Sequence, residues 1–250
     1  MRTGVALGGA FALVLAASAS AHAGEGYNWT GLYVGAHAGY AWGDVSVRDI
    51  DGGVDPGPFD YSPDGVFGGG TVGANWQLGA VLVGVEGDLG YLDLSGDKII
   101  GSSTGSPHHQ DLTLDGGFYA LGAGRLGITF GRTLVYGKGG YAYFDGEAKQ
   151  ATTKDYYSKE GTGSFAGWAY GGGIEQALGG GWSIKAEYLH FDFGSEGGVQ
   201  EKTSLATGGE PDDDTPVGSK FHNEHDLDVD TVKIGINYKF GGRDEPLPLK

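Results

Sequence analysis

The sequence predicts an all-β protein, an eight-stranded antiparallel transmembrane β-barrel with short periplasmic turns and four long extracellular loops. Three observations predict it. Eight segments alternate apolar residues with small or polar ones at a period of two, the mark of strands whose two faces meet different media. Short and long connections take turns along the chain. Aromatic residues gather at both ends of the apolar faces, where a bilayer interface attracts them.

The chain opens on Arg2, an apolar stretch (VALGGAFALVLAA) and Ala21-His22-Ala23. A basic start, an apolar centre and a small-x-small site are the parts of a secretory signal peptide cleaved after Ala23. The alternative, an N-terminal membrane anchor, requires about 20 apolar residues, more than this stretch supplies. The expected organisation is a signal peptide at 1–23, a barrel at 24–240 and a short periplasmic tail at 241–250.

The first alternating run places Leu32, Val34, Ala36, Ala38, Tyr40 and Trp42 on one face, with His37 on the other. The second has Val66, Val72, Ala74, Trp76 and Leu78 against Thr71, Asn75 and Gln77, and the third Val81, Val83, Val85, Leu89 and Tyr91 against Glu86 and Asp88. Phe118, Ala120, Leu126 and Ile128 then oppose Tyr119 and Arg125, and Val135, Tyr141 and Tyr143 oppose Tyr136 and Lys138. Trp168, Tyr170 and Ile174 oppose Glu175, and Trp182, Ile184, Ala186 and Tyr188 oppose Ser183, Lys185 and Glu187. The last run sets Val232, Ile234, Ile236, Tyr238 and Phe240 against Thr231, Lys233, Asn237 and Lys239. Each run is near the roughly 9–11 residues of a tilted transmembrane strand.

Short connections fall at Gly79-Ala80, Gly131-Arg132 and Gly179-Gly180-Gly181, and long polar ones at about 44–64, 92–115, 145–163 and 192–229. With the short turns in the periplasm, Trp29, Trp76, Trp182, Tyr238 and Phe240 form an inner aromatic girdle. Tyr40, Trp42, Tyr91, Phe118, Tyr143 and Trp168 form an outer one. In lipid an open sheet leaves edge N–H and C=O groups unpaired, so the strands close. A soluble lipocalin-like barrel or sandwich would have to take these aromatics inside and put the charges outside.

An eight-stranded barrel is narrow enough for side chains to fill. Its inward face carries Glu86, Asp88, Glu175 and Glu187 with Arg125, Lys138, Lys185 and Lys233, which predicts a hydrogen-bonded charge ladder that plugs the lumen. Glu175 and Lys185 fall opposite each other across the glycine turn and suit an ion pair. Arg125 and Lys138 also fall opposite, an unfavourable pairing that Glu86 and Glu175 can offset from either flank. Gly35, Gly69, Gly73, Gly171 and Gly173 leave room for the long side chains.

Composition excludes other classes. Glycine numbers 52 of 250 residues, against a usual roughly 7%, but without the three-residue period of collagen. The 14 Tyr, 11 Phe and 5 Trp are too many for a disordered chain. A net charge of −16 opposes nucleic-acid binding. The absence of cysteine removes disulfides and thiolate metal sites.

Residues 28–44 (NWTGLYVGAHAGYAWGD), 83–91 (VGVEGDLGY), 124–127 (GRLG) and 167–194 (GWAYGGGIEQALGGGWSIKAEYLHFDFG) resemble the outer-membrane immunogenic, or opacity-like, porin family of small β-barrels. The stretch VDTVKIGINYKF is similar to the terminal strand that the barrel assembly machinery recognises, here ending at Phe240. The resemblance implies insertion in a Gram-negative outer membrane with four exposed loops. It also implies roles in envelope integrity and surface antigenicity, some members being linked to haem or host-cell contact. The segment GGRDEPLPLK after Phe240 departs from the family pattern, which ends on the aromatic.

No enzyme is expected. His190 near Asp192, and His37 in the lumen, are the candidates for catalysis, and the strand pattern places no serine beside either. His108, His109, His222 and His225 lie in acidic loop segments and are candidates for haem iron, without a defining spacing. No resident cofactor or metal is expected. The reading is therefore a structural surface protein set in outer-membrane lipid and lipopolysaccharide, offering acidic loops to host or surface ligands. The alternatives are a porin for small solutes and a haem- or ligand-binding surface protein.

Overall fold

The structure, a computed structural model, describes residues 26–49, 59–95, 98–99, 110–152, 157–159, 164–202 and 220–241. The expected signal peptide (1–23), residues 242–250 of the expected tail, and His108 and His109 lie outside them. Eight long strands make the wall: β1 (Gly31–Asp49), β2 (Asp64–Leu78), β3 (Val81–Ser95), β4 (Gln110–Phe130), β5 (Thr133–Thr152), β6 (Phe165–Gly179), β7 (Trp182–Lys202) and β8 (Lys220–Lys239). Each pairs antiparallel with the next, and β8 pairs with both β7 and β1, so the sheet closes. Three short strands, Phe59–Tyr61, Lys98–Ile99 and Tyr157–Lys159, add to β1, β4 and β7 at their extracellular ends. There is no helix among the described residues. The barrel expected from the alternation is the barrel observed.

The periplasmic turns follow from glycine. Gly79 and Gly131 open two-residue turns at φ 66° and 59°, the left-handed first position that a type II′ hairpin needs. At the third turn Gly179, Gly180 and Gly181 all have positive φ.

The two faces separate as the period requires. Leu32, Val72, Leu89, Leu126, Val135, Ile184 and Ile234 point outward, and the residues that alternate with them point inward and are buried or half-buried. Trp76, Trp182, Tyr238 and Phe240 lie on the outer face near the short turns. Tyr40, Trp42, Tyr91, Phe118, Tyr143 and Trp168 lie on it towards the extracellular end, joined by Tyr141, Tyr170 and Tyr188. Rings on adjacent strands touch edge-on or tilted, with centroids 5.7 Å apart for Tyr91–Phe118, 5.5 Å for Tyr141–Trp168 and 5.0 Å for Trp182–Tyr238. Such pairs stabilise the sheet beyond simple burial.

Two expectations change. Trp29 does not join the inner girdle: it is 2% exposed, inside the barrel with Tyr27, Leu82, Leu134, Tyr136 and Ala177. It precedes β1, so strand parity does not fix its side. The strands also run well into the segments expected to be loops, with β5 reaching Thr152, β7 reaching Lys202 and β8 starting at Lys220. The apolar alternation of the sequence ends there, but antiparallel backbone pairing continues without it. Register shifts between Asp115 and Phe118 and between Asp192 and Ser195 mark where the apolar pattern stops.

The outward face gives a direct test of the lipid contact. Replacing outward-facing Ile234 by Arg places a charge against hydrocarbon and should lower stability by about 2–4 kcal/mol at the midplane. The expected result is a reduced urea midpoint for the barrel refolded in phospholipid vesicles.

Candidate functional site

The interior is layered. Next to the short turns lies the apolar cluster of Tyr27, Trp29, Leu82, Leu134, Tyr136 and Ala177. Towards the extracellular end lies a larger one that includes Leu92, Leu121, Phe144, Phe165, Leu189 and Phe193. Between them sit Glu86 and Asp88 of β3, Arg125 of β4, Lys138 of β5, Glu175 of β6, Lys185 and Glu187 of β7 and Lys233 of β8, all buried. The two-residue spacing of Glu86/Asp88 and Lys185/Glu187 puts both members of each pair on the lumen face.

Glu86 is the hub. Its carboxylate accepts hydrogen bonds from the Tyr33 hydroxyl at 2.6 Å, Arg125 Nη1 at 2.9 Å, Lys138 Nζ at 2.5 Å and Lys185 Nζ at 3.0 Å. Lys138 Nζ also donates to Asp88 at 2.7 Å and Glu187 at 3.3 Å. Lys233 Nζ lies 2.8 Å from Asp88 and 2.7 Å from Glu187. Arg125 Nη2 donates to Glu175 at 2.8 Å. Arg125 and Lys138 do face each other across β4 and β5, and the Glu86 carboxylate that they share, with Glu175 beside Arg125 and Asp88 and Glu187 beside Lys138, offsets the repulsion.

Cross-strand adjacency does not decide every partner. Lys185 stands directly opposite Glu175, yet its ammonium crosses the lumen to Glu86. Glu175 is met instead by Arg125, by the Ser183 hydroxyl at 2.6 Å and by Asn237 Nδ2 at 2.8 Å. In so narrow a barrel a long side chain reaches the far wall as readily as its neighbour.

Aromatic hydroxyls complete the layer. The Arg125 guanidinium lies 4.2 Å from the Tyr136 ring centroid and 5.5 Å from that of Tyr33, a cation–π contact. The Tyr136 hydroxyl donates to Glu187 at 2.7 Å. Glycine makes this approach possible: a Cβ on Gly73 would fall 2.3 Å from Tyr33 ring atoms, and one on Gly173 2.8 Å from the Tyr136 hydroxyl. Tyr33 and Tyr136 are inward by parity, but the period does not reveal that they brace the arginine.

The carboxylates of Glu86, Asp88 and Glu187 offer oxygens within 4.8 Å of one another, the spacing of a cation site. Lys138 Nζ bonds to all three, so an ammonium already supplies the positive charge there.

His37 caps the layer, hydrogen-bonded through Nδ1 to Thr71 Oγ1 at 2.9 Å and through Nε2 to the Tyr119 hydroxyl. Thr71 donates to Asp88 at 2.6 Å. The Thr71 oxygen therefore accepts from His37 Nδ1–H, and Nε2 accepts from Tyr119. The Thr71 hydroxyl gives its proton to Asp88, so His37 is not positioned as its base.

His190 lies on the outer face, and its partner is not Asp192. Its Nδ1 is 2.9 Å from Asp230 Oδ1, which also accepts from the Tyr188 hydroxyl at 2.6 Å. Asp230 is directly across from His190 on β8, whereas Asp192 is two residues along the same strand and accepts from the Gly194 N–H at 3.0 Å. Among the described residues, neither histidine has a serine hydroxyl as partner. His222 and His225 lie on β8 opposite Val199 and Glu196 of β7, with their side chains outside the described set.

A family model described as the outer membrane protein beta-barrel domain matches residues 9–240. The chain belongs to that family and is a protein of the outer membrane. It is 32% identical over 225 residues to a 31 kDa outer-membrane immunogenic protein of Brucella melitensis, covering 86% of this chain and 85% of the relative. It is 28% identical over 215 residues to a 22 kDa outer membrane protein of Rhizobium leguminosarum bv. viciae, covering 85% and 79%. Among solved structures, OprG from Pseudomonas aeruginosa aligns at 14% identity with a TM-score of 0.49, over 87% of this chain and 99% of its own.

Two substitutions test the layer. Glu86→Ala leaves buried cations without their shared carboxylate and should destabilise the barrel by about 3–5 kcal/mol, read from urea unfolding in detergent micelles. Gly173→Ala sets a Cβ 2.6 Å from the Ala186 carbonyl oxygen and 2.8 Å from the Tyr136 hydroxyl and should cost about 1–3 kcal/mol in the same assay, with the barrel still closed on an unheated gel.

Proposed function

We propose that this barrel is a non-catalytic structural protein of the outer membrane, with a sealed lumen and acidic segments carried outward on its extracellular hairpins. The observation that carries the reading is the balanced layer of four carboxylates and four cations spanning the interior between two apolar clusters. An ion crossing it would have to shed water and displace charges that already satisfy one another. Desolvation of that kind costs several kcal/mol per ion. Presentation of loops is supported by the strands that continue past the membrane and by the acidic run Asp212-Asp213-Asp214. The word immunogenic in the relatives' names agrees with it.

Export by a signal peptide ending at Ala23, and assembly through the strand ending at Phe240, complete the proposal. Phe240 donates its N–H to Leu32 O at 2.8 Å, so the terminal aromatic is tied to the first strand at the periplasmic end of the seam. Contact with lipopolysaccharide belongs to the outward girdle.

Single-channel recording in planar bilayers tests the sealed lumen. The purified protein is expected to insert and remain electrically silent; discrete, reproducible openings would replace this reading with that of a porin for small solutes.

A further inference from the structure

Residues 26–30, before β1, have no strand structure, yet two of their side chains are buried. Tyr27 is 6% and Trp29 2% exposed, their rings meeting edge-on with centroids 4.8 Å apart. They pack with Leu82, Leu134, Tyr136 and Ala177, which come from β3, β5 and β6, so the chain enters the barrel mouth and does not run outside it. The alternation of buried Tyr27 and Trp29 with exposed Asn28 and Thr30 turns only the aromatics into the lumen.

The segment is tied on several sides. Tyr27 N–H donates to Gly131 O at 3.2 Å in the β4–β5 turn. Trp29 N–H donates to Gln77 Oε1 at 2.8 Å, and Gln77 N–H donates to Thr30 Oγ1 at 3.0 Å. Lys239, at the end of β8, donates to Asn28 O and holds its ammonium 4.5 Å from the Tyr27 ring centroid. Ties to β2, to the β4–β5 turn and to β8 stretch the segment across the opening.

We infer that residues 26–30 are a built-in stopper, a second seal in series with the charge layer. It shuts the lower polar lumen, including Asn75, Ser183 and Asn237, off from periplasmic water. The inference deepens the sealed-barrel reading and rests on it. Because seals in series act independently, opening the charge layer alone would not open the lumen to the periplasm.

The chain contains no cysteine, so an introduced thiol reports its own surroundings. In Ser183→Cys barrels, judged folded by heat-modifiable migration, a water-soluble maleimide should react slowly. Adding Tyr27→Ala and Trp29→Ala should speed labelling by at least about tenfold, because reactivity follows the open population. Equal rapid labelling with the aromatics intact overturns the stopper. So does slow labelling of the folded barrel without them, since other groups would then close the mouth. Should the double substitution fail to fold, single changes in the Ser183→Cys barrel give the answer: Trp29→Ala should speed labelling, while Asn28→Ala, at an exposed position, should leave it slow. Equal rates for the two variants overturn the proposal. Conductance by the unaltered protein together with slow labelling at position 183 that speeds in Trp29→Ala would refute the sealed lumen while leaving the seating of the segment intact.

Discussion

Hydrocarbon offers a backbone no partner, and the rest of this molecule follows from how that constraint is met. Every N–H and C=O in the membrane has to be paired within the sheet, so the first and last strands must find each other. They do so along an unbroken register from Tyr33↔Lys239 to Asp49↔Asn223. Once the seam closes, each strand has one face towards lipid and one towards a space too narrow for bulk water. The period-two pattern, the outward Leu, Val and Ile and the interfacial aromatics all answer to that division.

The inner face solves a different problem. Side chains there are removed from water as thoroughly as in a soluble core, and so buried charge is costly unless partnered. The protein meets this with numerical balance, sharing carboxylates among several cations, and with hydroxyl and aromatic groups that finish the coordination. Apolar layers lie above and below the charges. Glycines at 73 and 173 admit the tyrosine rings beside Arg125, so small residues on the wall are as much a part of the layer as the charges.

The wall was legible in the sequence because lipid and lumen impose opposite preferences on alternate residues, and parity is read from a single strand. Arg125 opposite Lys138, and Glu175 opposite Lys185, also followed from counting across tight turns. Contacts across the lumen did not: Lys185 reaches Glu86, 99 residues away in sequence, and no local period encodes that reach. Phe144, Phe165 and Phe193 share the inward parity of the charges, so alternation alone gave no sign of their separate layer. Trp29 was misplaced because it lies outside any strand, and His190 pairs across strands with Asp230 instead of along its own strand with Asp192. Strand length escaped too, since pairing above the bilayer persists where the chemical contrast between faces has gone.

The sharing of Glu86 among Arg125, Lys138 and Lys185 has a bearing on how such a protein changes over generations. A lipid-facing leucine can drift to valine or isoleucine by itself, because acyl chains accept any of them. A change at Glu86 takes a carboxylate from three cations carried by three different strands, Lys185 losing the one it crosses the lumen to reach, and no single second change restores all three contacts. Descendants would therefore tend to inherit this carboxylate with its whole set of cations, or to abandon the set together, while the outer surface diversifies one residue at a time.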